Sequence, residues 1–102
     1  MLKLLNPEGA DLIVTDLILD ITTEATGVAT VDAGIDDGGD VSSDNLIDGL
    51  DVGSAAGVFD NRVNGGTNGG VAKWGAGEYL VITASATLAG LVGNAYIEYI
   101  RE

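Results

Sequence analysis

The sequence predicts an all-β, single-domain chain, an antiparallel β-sandwich with at most one short helical turn. Three observations carry this. Two runs within Asp11–Asp36 alternate apolar and polar residues with period two, the spacing that puts one strand face on a core and the other in water. The 16 glycines fall between such runs, where tight turns belong, instead of forming one block. No amphipathic helical stretch of ordinary length is present. At 102 residues the chain fits one domain spanning 1–102, with a radius of gyration of roughly 13 Å.

Taken in order, Met1–Leu5 is a short apolar arm with one lysine, either an edge strand or a docking segment. Asn6-Pro7-Glu8-Gly9 has the residue order of a type I turn, with proline second and glycine fourth. In the first long run, Ile13, Thr15, Leu17, Leu19 and Ile21 share one face. Leu12, Val14, Asp16, Ile18 and Asp20 share the other, which is more apolar than a solvated face requires. In the second run, Ala29, Val31, Ala33 and Ile35 alternate with Thr30, Asp32, Gly34 and Asp36. Joined by Thr22–Gly27, the two runs are expected to form a β-hairpin that seeds the sandwich.

Asp36–Asp40 is a loop of glycine and like charge. Ser42–Gly49 fits a single helical turn, capped by Ser42 or Ser43, stopped by Gly49 and tucked in by Leu46, Ile47 and Leu50. Gly53–Gly57 is small and flexible, and Val58-Phe59 is a brief apolar contact. Residues 61–70 form an exposed glycine-rich loop. Val71–Trp74 restarts the sheet and Gly75–Gly77 turns it. Glu78–Thr87 alternates, with Leu80, Ile82, Ala84 and Ala86 on one face. Leu88–Gly90 leads to the last strand, Leu91–Arg101. There Ala95, Ile97 and Tyr99 are assigned inward, leaving Val92, Tyr96 and Ile100 outside beside Glu98.

The net charge of −12 excludes several function classes. With 16 acidic residues against 4 basic ones, the surface repels phosphate backbones and anionic lipids, so neither nucleic acid nor membrane is an expected partner. No run approaches the roughly 20 apolar residues that span a bilayer. The Met1–Leu5 stretch is cut off by Asn6-Pro7-Glu8 too early for a signal peptide, so the protein is expected to stay where it is made. Without histidine or cysteine, catalytic triads and zinc centres are absent. A carboxylate pair for glycoside hydrolysis has no specificity among so many acids. No enzymatic activity and no cofactor are expected.

Two further groups of residues admit more than one reading. Asp36, Asp37, Asp40, Asp44 and Asp48 supply oxygen ligands of the kind calcium takes, but lack the spacing and closing glutamate of an EF-hand. Aspartates that serve turns and caps are the simpler reading. Trp74, Tyr79, Tyr96 and Tyr99 suit either a sugar-stacking platform or ordinary core and rim packing, the latter being favoured.

Three stretches carry a family likeness: NPEGADLIVTDLILDITTEATGVATVDAGI, SSDNLIDGLDVGSAAGVFDN and KWGAGEYLVITASATLAGLVGNAYIEYI. Together they resemble the small head decoration, or cement, proteins encoded beside tailed-bacteriophage capsid genes. The likeness covers most of the chain and contains no catalytic motif. It implies a jelly-roll-like sandwich bound to the outer face of the assembled capsid, commonly as a homotrimer, with the major capsid protein as partner. It also implies a place in the virion after synthesis in the host cytoplasm. No site residues transfer with it.

Under this reading the half-apolar outer faces become subunit contacts, through Leu12, Val14, Ile18, Tyr96 and Ile100. Leu2, Lys3, Leu4, Arg62 and Lys73 are the residues expected to reach the capsid. The alternative is a head-fibre or adhesion-type sandwich that binds host-surface glycans.

Overall fold

A computed structural model describes residues 2–62 and 70–102, and these form an all-β sandwich of eight strands in two antiparallel sheets. In the first sheet β1 (Leu2–Leu5) pairs with β7 (Tyr79–Ala84), β7 with β3 (Thr30–Asp36), and β3 with β4 (Ile47–Asp51). The second sheet is built on β2 (Leu12–Thr23). One edge of β2 carries β8 (Val92–Arg101) along most of its length. Its other edge carries two short strands end to end, β6 (Ala72–Trp74) on residues 12–14 and β5 (Gly57–Asp60) on residues 18–21. The chain passes repeatedly between the sheets, and in that respect it is jelly-roll-like. The radius of gyration, 12.9 Å, matches the expectation from length.

The expected β2–β3 hairpin does not form, since these strands lie in opposite sheets. Residues 24–29 carry the chain across, where the Ala25 and Thr26 N–H groups donate to the carbonyls of Val52 and Ala89, each at 2.9 Å. Alternation shows which face a strand buries but not which neighbour it pairs with. Both edges of β2 are taken by later strands.

Leu12, Val14, Leu17, Leu19 and Ile21 of β2 all enter the core, so the strand changes phase midway. The register along β8 shifts between Val14 and Asp16, which places Thr15 and Asp16 opposite Glu98 as a β-bulge. The extra residue moves the apolar positions from even to odd numbers.

The expected helical turn is absent. Ser42–Asn45 is irregular and Ile47 opens β4. Leu46, Ile47 and Leu50 are buried, as expected, but a strand irregularity produces their spacing. Between the Val31–Leu50 and Ala33–Ile47 pairs β4 has two residues against one on β3, and Gly49 absorbs the surplus at φ 70°. Asp32 anchors it by accepting the Gly49 N–H at 2.8 Å.

The core lies between the sheets, around Trp74, Leu12, Leu17, Ile47 and Val52. The first sheet is also covered on its outer side. Ser43 and Asn45 lie over Gly34, where an added Cβ would collide with the Ser43 hydroxyl, and the Asn45 side chain accepts the Ile35 N–H. Val81, beside Gly34 in register, is fully buried.

Candidate assembly surface

The second sheet has a structural keystone where β5 gives way to β6. Asn61, almost fully buried, follows β5 and fills the gap in the ladder along β2. Its side-chain oxygen accepts the Leu17 N–H at 2.9 Å, and its amide donates to the Gly70 carbonyl at 2.7 Å. Beside it Asp16, pushed outward by the bulge, is covered by Arg62, whose guanidinium lies 3.4 Å from Asp16 and 3.1 Å from Asp60. The Asp16 charge, then Asp60, holds the Arg62 proton more firmly than usual. Both residues that begin the glycine-rich loop are therefore structural. Of the expected exposed loop at 61–70, Asn61 and Gly70 are buried, and 63–69 lie outside the described residues.

In the 36–48 region one acid serves the backbone and another an ion pair. Asp36 accepts the N–H groups of Asp40 and Val41, while Asp40 pairs with Lys3 at 3.5 Å. Among the described residues no three acidic groups converge into a site that could hold a metal. The pKa of Glu78 is shifted upward. A hydrogen bond with Asp37, reinforced by burial, raises it, and Glu78 also accepts the Gly75 N–H and closes the β6–β7 turn.

The aromatic residues form no platform. Trp74 is buried, donates its indole N–H to the Glu78 carbonyl at 3.0 Å, and meets the Tyr99 ring edge-on at 6.3 Å. Tyr79 lies under Lys3, 5.3 Å from its ammonium. Tyr96 stands alone on the outer face of the second sheet.

The residues expected to reach the capsid separate into two places. Leu2, Lys3 and Leu4 lie on β1, the exposed edge of the first sheet. Arg62 and Lys73 belong to the opposite side, along the β5/β6 edge. Each of the three cations is already in an intramolecular ion pair, Lys73 with Glu102 at 3.2 Å and Asp11 at 3.6 Å. They form no common basic patch.

The residues expected at the subunit contact divide as well. Leu12 and Val14 have no exposed surface and belong to the core, so they cannot meet another subunit. The bulge is the reason: ahead of it the even positions face inward. Ile18, beyond the bulge, lies on the outer face, half-buried and opposite Tyr96, and Ile13 lies opposite Ile100. Val92, Tyr96 and Ile100 are 57%, 54% and 55% exposed, which makes an apolar row along β8. Ile97 and Tyr99 pack inward as expected, and Ala95 also faces inward, onto an opening between the sheets.

That opening is an apolar cleft of about 250 Å³ between the sheets, on the side where β1 and β8 form the two edges. Leu19, Ile21, Ile82, Leu88, Leu91 and Ala95 line it, and Leu2 stands at its mouth. The sequence does carry a signal for this side of the molecule. The strands β1, β7 and β8 contain one acidic residue, Glu98, and two basic ones, Lys3 and Arg101, in a chain of net charge −12. An apolar row, an apolar cleft and low charge thus coincide at the β1/β8 edge.

Comparison with known protein families, with curated proteins and with solved structures found no match.

Proposed function

We propose that the chain is a structural virion protein that decorates and stabilises the outer surface of a phage capsid as a small oligomer. The observation that carries this reading is the β1/β8 edge, where apolar surface is concentrated on an otherwise strongly acidic molecule. Exposed apolar patches of this kind mark protein contacts. The residue chemistry is consistent with structural work, since the polar groups described above close turns and tie strands together. Attachment to a repeating shell would multiply weak single contacts through effective concentration. Trp74 is buried edge-on against Tyr99, and Tyr79 and Tyr96 lie on different sheets, an arrangement that does not favour the glycan-binding alternative.

The test is add-back. Purified protein is mixed with capsids that lack it and the particles are pelleted. Saturable retention on the shell is expected. If the folded protein stays in the supernatant at every ratio, the reading fails.

A further inference from the structure

We propose that β8 pairs with β8 of a second copy, antiparallel across a two-fold axis at Tyr96, joining the second sheets of two molecules into one. Among the described residues β8 pairs only with β2, so its far edge is open along ten residues. Open edges of this length are usually blunted by proline, charged side chains or a bulge. β8 contains no proline, its two charged residues are Glu98 and, at the strand's end, Arg101, and both register shifts in this ladder fall on β2.

The direction of the open backbone groups follows from two side chains. Thr15 and Thr22 of β2 donate to the carbonyls of Glu98 and Val92, so the even-numbered residues of β8 point their backbone at β2. By alternation the odd residues, Gly93 to Tyr99, present N–H and C=O groups to solvent.

Pairing these odd residues with a second copy, with Tyr96 on the axis, matches positions 92 to 100. Ala95 then stands opposite Ile97 of the second copy and Gly93 opposite Tyr99, small against large on the inner face. On the outer face Val92 meets Ile100, Asn94 meets Glu98, and Tyr96 meets its own equivalent. No like charges face each other. Moving the axis to Ala95 or Ile97 would set Glu98 against Val92 or Tyr96, a poorer match. The charge-poor β1/β8 edge satisfies the other requirement, because two molecules of charge −12 must meet where few of those charges lie. The contact is two-fold, in contrast to the trimer implied by the family likeness, and it stands independently of capsid binding.

The test combines mass and cross-linking on the full chain. Light scattering is expected to give twice the 10.3 kDa chain mass. Tyr96→Lys, which sets two ammonium groups against each other on the axis, is expected to give the monomer with an unchanged β spectrum. Val58→Lys, exposed on the same sheet face but away from β8, is expected to leave the dimer intact. Tyr96 would be a non-hydrogen-bonded pair with Cα atoms about 4.5 Å apart, within disulfide range. In this cysteine-free chain Tyr96→Cys is therefore expected to oxidise to a covalent dimer, and Asn94→Cys, opposite Glu98, at least tenfold more slowly. A monomer at all concentrations, a trimer mass, or equal cross-linking at both positions would overturn the proposal. So would a monomer whose β8 amides become protected only on capsids, which would give the edge to the capsid protein instead.

Discussion

Two asparagines secure the irregular parts of this sandwich. Asn61 substitutes for a missing stretch of strand between β5 and β6, and Asn6 does similar work at the first turn. Buried, it accepts the N–H groups of Glu8 and Gly9 and shares its amide among the carbonyls of Ala10, Trp74 and Gly75. Truncating either leaves buried backbone groups without partners, each costing about 1–3 kcal/mol. Asn61→Ala is accordingly expected to lower stability by roughly 2–4 kcal/mol in urea unfolding, with an unchanged m-value. An effect below about 0.5 kcal/mol would show that water replaces the side chain.

Two glutamates should respond to pH with opposite signs. Arg101, then Tyr99, hydrogen-bonds Glu8 and lowers its pKa, so its contribution is present above the ordinary carboxylate range and lost as pH falls through the folded value. Glu8→Gln is expected to melt earlier than the parent at pH 7, the difference closing towards pH 3. Glu78, raised chiefly by Asp37, behaves in reverse: its contribution is complete below the unfolded value and lost as pH rises through the folded one. Glu78→Gln keeps an acceptor for Gly75, and its melting temperature relative to the parent is expected to rise between pH 3 and pH 7.

At the scale of elements, the sequence reveals faces better than partners. β8 is legible because Glu98 fixes which side is wet and no bulge interrupts its period. β2 is half legible. Its two aspartates and three apolar residues on one nominal face are the trace of a phase change, and a constant period read across Thr15-Asp16 turned core residues into an apparent contact surface. The β4 region misleads for the same reason, since the 46, 47, 50 spacing fits a helix as well as a strand with one surplus residue. Strand pairing across 60 or more residues leaves no local mark, so the β2–β8 ladder and the cleft beside it were not readable.

Leu17→Ala and Ile18→Lys separate the two faces of β2. Leu17 is fully buried, and its truncation is expected to cost about 2–5 kcal/mol without altering oligomer mass at temperatures where the fold persists. Ile18 lies beside Tyr96 on the outer face, and a lysine there is expected to weaken self-association while leaving β content intact. If Ile18→Lys keeps the parent's mass across the concentration range, the outer row does not contribute to assembly.

For the whole molecule, the proposals place the contacts on one side, while the charge of the remainder favours dispersal. The acidic surface limits indiscriminate contact, while the β1/β8 edge offers apolar area, an open strand and little charge. Under the proposed function, this arrangement suits a protein that attaches to a larger assembly. The most direct measurement is calorimetry of capsids lacking the protein, before and after its addition. An upward shift in the temperature of shell disruption, saturating with added protein, is the result expected. An unchanged disruption temperature, with the protein folded and in excess, would contradict a stabilising role on the capsid.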